Sequence, residues 1–132
     1  MNRLNAKVIH IENIDNLHYL SCSIGREIIH MITLELNSSI KIGTDVNISI
    51  KSTNIGISKS IKKDISIENQ LKAKVIHIDN GAILSSVCLD IEGFEIESVI
   101  SLNACKRLGL KVDDEVFALM SESSIFIMDV GV

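Results

Sequence analysis

The amino-acid sequence predicts an all-β protein made of two tandem small β-barrels, about five strands each, with a short helix in at least the second. Three observations predict this. The chain repeats itself at about half its length, its apolar residues alternate over short runs with a two-residue period, and turn signals separate the runs. LNAKVIHIEN, Leu4 to Asn13, returns as LKAKVIHIDN, Leu71 to Asn80, 67 residues on, with eight of ten places identical and Glu12/Asp79 conservative. The match then weakens. REIIHMITLEL (Arg26 to Leu36) aligns with FEIESVISLNA (Phe94 to Ala104) at an offset of 68, and TDVNISIKSTNIGI (Thr44 to Ile57) with DEVFALMSESSIFI (Asp114 to Ile127) at 70. The growing offset predicts small deletions in the turns of the first copy. The copies run over 1–58 and 65–132, joined by the polar stretch SKSIKKD, Ser58 to Asp64.

The second copy carries the clearer pattern. Leu71–Asp79 reads as its first strand, ended by an Asn80-Gly81 turn. Val87, Leu89 and Ile91 then alternate with Cys88, Asp90 and Glu92, as a half-buried strand requires. Phe94–Ser101 follows. Asn103 is placed to cap a helical turn that runs to Leu108, with Gly109 as the residue that ends it. After Asp113-Asp114, Glu115–Ser121 and Ser124–Met128 supply the last two strands. About five strands and one short helix in some 60 residues suggest a Greek-key barrel of the OB type. Each copy is close to the smallest size at which a core suffices, so the copies are expected to pack on each other or on further subunits. Isoleucines on both faces of the first strand, at Val8-Ile9 and Val75-Ile76, favour such packing.

Composition narrows the function. An apolar fraction of 46% in 132 residues is that of a folded protein. A net charge of -4, 3% aromatic residues and no Trp leave little from which to build a nucleic-acid groove. No uninterrupted apolar run is long enough to cross a bilayer, and MNRLNAKVIH lacks a signal-peptide pattern, so the expected location is the cytoplasm. Cys22, Cys88 and Cys105 are odd in number, lack CxxC spacing and read as buried reduced thiols. Cys105, although beside Lys106 and Arg107, is expected on the inner side of its helix and inert. His10 with Glu12, and His77 with Asp79, share a strand face, but two ligands at i and i+2 do not complete a metal site. No nucleophile stands with a base and no cofactor loop is present, which predicts a binding protein and not an enzyme.

From Asn69 to Ile127 the sequence resembles the Mop domain along nearly its whole length. The shared features are the N-Q-L-x-A-x-V start at Asn69, the I-S strand end at Ser101 followed by a short helix ending L-G-L, and the last strands. In the family these close as a hairpin of the form V-x-A-x-x-K-S/A-x-x-V. The first copy matches less well but keeps the K-S-T of that hairpin at Lys51, Ser52 and Thr53. The resemblance implies a tandem molbindin-like protein that binds molybdate or tungstate for intracellular storage or homeostasis. No organic cofactor is expected, and composition argues against a nucleic-acid or membrane partner. By the same resemblance the expected assembly is a homo-oligomer, a trimer for stand-alone two-module members, with small oxyanions between modules. Similar paired domains form the sensing half of molybdate-responsive transcription regulators and the tails of molybdate-importer ATPases. The alternative is therefore a ligand-sensing or oligomerisation module working with such a partner. The chain shows no DNA-binding segment or phosphate-binding glycine loop, which favours the stand-alone reading.

A tetrahedral dianion needs several hydrogen-bond donors and few carboxylates nearby. The family holds it with a Ser and an Arg just before N-Q-L, with the Lys and next residue of the last hairpin, and with hydroxyls around the short helix of a neighbouring module. Carried over to the first copy, this implies Lys51, Ser52, Thr33 at the strand end, Ser38 in the helix region, and Asn2, with Arg3 one place late. In the second copy it implies the weaker candidates Ser66, Ser101 and Ser121, because Glu68 stands where the family has Arg and Ser121 where it has Lys. A carboxylate about 6 Å from a dianion costs roughly 5 kcal/mol at an effective dielectric near 20. The second copy is therefore expected to serve as scaffold unless Glu68 turns away.

Overall fold

The computed structural model describes residues 1–130. The first copy supplies β1 (Asn2–Ile14), β2 (Leu17–Ile24), β3 (Glu27–Thr33), β4 (Asp45–Ile50) and β5 (Gly56–Ser58). The second supplies β6 (Asn69–Asn80), β7 (Leu84–Ile91), β8 (Phe94–Ser101), α1 (Leu102–Leu108), β9 (Glu115–Met120) and β10 (Ile125–Val130). A single 3₁₀ turn joins β4 to β5 at Ser52–Asn54, and another joins β9 to β10 at Glu122–Ser124. The all-β class and the two OB-like halves expected from the repeat are what the chain adopts.

Alternation dictates the inner faces. Along β1, Asn2, Leu4, Ala6 and Val8 are buried while Arg3, Asn5 and Lys7 are exposed, and β7 buries Ser85, Val87, Leu89 and Ile91. The register of β1 shifts between Val8 and His10, and that of β6 between Val75 and His77. A bulge bends a strand and increases its twist. Each long strand can therefore pair with one neighbour over its first half and another over its second: β1 meets β4 through Asn2–Lys7 and β2 through Lys7–Ile14. The adjacent isoleucines Ile9 and Ile76 thus mark bulges, with Ile9 exposed and Ile76 half-buried.

The expected last hairpin does not form. The sheets run β10-β4-β1-β2-β3 and β5-β9-β6-β7-β8, so the final strand of each copy crosses into the sheet of the other. Ile125, Phe126 and Ile127 pair with Ile50, Ser49 and Ile48, while Gly56, Ile57 and Ser58 pair with Leu119, Ala118 and Phe117. The physical reason is that β1 takes one edge of β4, and the 3₁₀ turn carries the chain away from the other edge instead of folding back along it. One core results, in which Ile50, Ile55, Met120 and Ile125 lie at the crossing, each about 1% exposed. Ser98 Oγ donates to the Ile55 carbonyl at 2.6 Å and holds the start of β5 against β8.

The register also revises the internal alignment. Ser21 pairs with His30 and Cys88 with Glu97, so the offset stays at 67 through β3 and β8, not 68. Ala6 pairs with Val46 and Ala73 with Val116, which puts the full change to 70 between β3 and β4. The second copy has α1 in that stretch, and the three-residue shortening leaves the first copy only turns there. The cap of α1 is Ser101 and not Asn103: its Oγ accepts the Ala104 N–H at 3.0 Å, while Gly109 ends the helix at φ 60 as expected.

Equivalent residues meet where the copies adjoin. Asn2 Nδ2 donates to the Glu97 carbonyl and Asn2 Oδ1 accepts the Glu97 N–H, both at 2.7 Å. Asn69, 67 positions later, does the same for His30, at 2.8 and 2.7 Å. Each amide thereby satisfies one peptide on the outermost strand of the opposite copy. Gly25 faces its own counterpart, Glu92, whose Oε1 accepts the Arg26 N–H at 2.6 Å. A Cβ on Gly25 would lie 2.9 Å from that of Glu92, at a φ of +58. The approach therefore requires glycine on one side.

Candidate oxyanion site

The sequence between β4 and β5 builds a turn that presents hydroxyls. Lys51 precedes the 3₁₀ turn with extended backbone, its side chain exposed, and Ser52 opens the turn. Ser52 Oγ donates to Glu97 Oε1 at 2.9 Å, and Ser86 Oγ, from β7, donates to Glu97 Oε2 at 2.5 Å. These bonds, that from Ser86 first, hold the Glu97 carboxyl below the ordinary carboxylate range; partial burial opposes them and the N-terminal amine assists. Asn2 fixes the Glu97 backbone from the other side. Of the residues expected at the site, Asn2 and Ser52 thus meet on Glu97 at one junction between the copies, and Lys51 is exposed one residue before Ser52. The junction's two hydroxyls already hold a carboxylate.

The second junction has the same frame and different chemistry. Ser121 takes the place of Lys51, Glu122 that of Ser52, His30 that of Glu97 and Tyr19 that of Ser86. His30 Nδ1 lies 2.8 Å from Ser21 Oγ, and its ring stands 5.7 Å from that of Tyr19. Burial pushes the Tyr19 hydroxyl up to about 12, helped by a hydrogen bond to Glu122 and by the charges of Glu122, Glu68 and Glu12. Negative charge gathers here without a lysine at position 121.

The remaining candidates lie elsewhere. Thr33 pairs with His18 and corresponds by register to Ile100, not to Ser101. Its Oγ1 donates to the Glu35 carbonyl at 2.9 Å, and it lines a cleft of about 320 Å³ with Leu36, Asn37 and β10. Glu35 and Asp129 border that cleft, which makes it unfavourable to an anion within the one chain. Ser38 is exposed in the turn beyond, where Asn37 takes both the N–H and the hydroxyl of Ser39. Ser101 caps α1. Ser66 and Glu68 are exposed in the connection before β6, and Arg3 is exposed on β1. His10 Nε2 lies 3.0 Å from Glu12 Oε1, and among the described residues no group of three His, Cys, Asp or Glu is arranged to hold a metal.

Sequence reasoning missed Glu97, Ser86 and His30. Each is a polar residue at a half-buried strand position, and His30 and Glu97 become equivalent once the offset is held at 67. That pairing of unlike titratable residues at one repeat position was the available signal.

Fold and junctions together define a tandem, strand-exchanged barrel protein with an anion-holding turn between its copies. Residues 65–127 match the TOBE domain. A probable molybdenum-pterin-binding protein of Haemophilus influenzae is 41% identical over 64 residues, which are 48% of this chain and 93% of that protein. Molybdenum-pterin-binding protein 1 of Clostridium pasteurianum is 38% identical over 65 residues, 48% of this chain and 96% of its own length. Among solved structures, the cytoplasmic molybdate-binding protein ModG, in a form with molybdate bound, superposes with a TM-score of 0.87 at 22% identity, over 96% of this chain and 94% of that one. The chain belongs to the Mop (TOBE-type) domain family and carries the domain twice.

Proposed function

We propose that this protein binds molybdate or tungstate inside the cell, as a store or buffer. The observation that carries the reading is the 41% identity to nearly the whole of a molybdenum-pterin-binding relative. Binding centres on the first junction, where Lys51 supplies the cation and Ser52 a hydroxyl, while Asn2 takes part by fixing the Glu97 peptide beside them. Thr33 and Ser38 reach the anion from a neighbouring subunit, and Ser66, Ser101 and Ser121 play a lesser part. Micromolar affinity corresponds to about 8 kcal/mol, and hydrogen bonds to a charged group contribute roughly 1.5–3 kcal/mol each, so a handful of donors suffices even in an acidic protein.

The assembly is a homotrimer in the cytoplasm. Exposed apolar residues support association: Ile14 and Leu17, 67% and 50% exposed, line a groove with Tyr19 and Ile32. No helix among the described residues is long and apolar enough to cross a membrane. The test is titration calorimetry with molybdate, tungstate and sulfate on the parent chain and on Lys51→Ala, with light scattering for mass. Molybdate and tungstate are expected to bind at micromolar concentration, Lys51→Ala to lose about tenfold, roughly 1.4 kcal/mol, and the mass to be three times 14.5 kDa. Uptake of none of the three anions overturns the binding reading, and an unchanged Lys51→Ala overturns the site.

A further inference from the structure

We propose that Glu97 is a tethered anion occupying the donor cluster of the first junction, so that an incoming oxyanion must exchange with it, and Glu97 thereby sets the affinity of the site. This rests on the reading of Lys51 and Ser52 as anion ligands.

The hydrogen bonds carry the inference. Ser52 and Ser86 come from different copies, yet each hydroxyl donates to a separate oxygen of Glu97, at 2.9 and 2.5 Å. Two donors spread over two oxygens are what an oxyanion would receive at the same place, and charge-assisted bonds of this kind are the strong ones. The Glu97 side chain starts from a fixed backbone, because Asn2 takes both its N–H and its carbonyl. The residue is only half-buried, so its carboxylate can turn to water without a buried charge being left behind. A doubly charged guest gains more than a carboxylate from the exposed Lys51 beside the turn, which favours exchange. The two cannot share the hydroxyls, because like charges so close repel by several kcal/mol.

The second junction shows that the fold does not require an acid at the strand position of Glu97. His30 stands where Glu97 does, and an acid, Glu122, enters from the 3₁₀ turn instead, toward Tyr19. A non-acidic side chain is thus accepted at the strand position. Removing the Glu97 charge should open the first junction while leaving its frame intact.

The experiment is calorimetric titration with sodium molybdate on the full chain and on Glu97→Gln, Glu97→His and Glu97→Gln/Lys51→Ala, with thermal melts confirming that each is folded. Glu97→Gln keeps the shape and removes the charge; Glu97→His places there the residue of the equivalent site. Both are expected to bind at least tenfold tighter than the parent, and the gain is expected to vanish when Lys51 is also removed. If the parent binds and neither Glu97 variant binds tighter, the exchange is overturned while the oxyanion reading stands. A gain that survives removal of Lys51 also overturns it, because the effect is then not local to the junction. If neither the parent nor any variant takes up molybdate, both readings fall together.

Discussion

Asn2 and Asn69 each commit a whole side-chain amide to one peptide of the opposite copy. Asn69 is 1% exposed, so truncating it leaves the His30 N–H and carbonyl with poor access to replacement partners. An unsatisfied buried group costs about 1–3 kcal/mol. Asn69→Ala is accordingly expected to lose about 2–4 kcal/mol in urea unfolding, and Asn69→Asp, which keeps the acceptor but sets a buried carboxylate oxygen against the His30 carbonyl, to lose at least as much. Titration offers a second check at this scale. Burial raises the Cys22 thiol from 9.0 to about 11. The unfolded thiol therefore ionises first, and the stability Cys22 contributes is complete below pH 9 and lost as pH rises toward 11. Glu97 acts in the opposite sense: its lowered value contributes stability above the ordinary carboxylate range, lost as pH falls through and below that range. Urea midpoints measured against pH should show the alkaline decline begin later in Cys22→Ala and the acid decline flatten in Glu97→Gln. Sequence alone showed that Asn2, Lys51 and Ser52 belong together only through family resemblance. That Ser52 faces a carboxylate from the other copy depends on a contact between residues 45 positions apart, which no local pattern records.

The strands of the second copy were legible because alternation and turn chemistry are local. Val87, Leu89 and Ile91 are buried as their spacing requires. The start of α1 was misplaced by two residues because Ser101 ends β8 and caps the helix at once, so the strand pattern conceals the cap. The offset of 68 arose for a similar reason. Matching Ile32-Thr33 to Ile100-Ser101 is attractive residue by residue, but β-ladder register keeps inward positions inward, and a slip of one would turn every side chain of β3 over. The destination of β5 and β10 was beyond reach of periodicity. Strands of the same composition fit either sheet, and the choice lies in the direction that the preceding 3₁₀ turn gives the chain.

At the scale of the molecule, the repeat announces two barrels, but the crossing strands make them one body. A cut in the exposed connection at 59–64 is therefore expected to leave the two pieces associated, each holding the other's edge strand. Size-exclusion chromatography of a chain nicked there, followed by a single calorimetric unfolding transition, checks this; two species that part without denaturant would contradict it. The same crossing governs how the molecule bears load. Because β1 and β10 flank β4 and both run antiparallel to it, they are parallel to each other, with the chain entering at one end and leaving at the other. Tension applied between the first and last strands would slide them along β4 instead of peeling them from it, so the bonds of both ladders would resist at once.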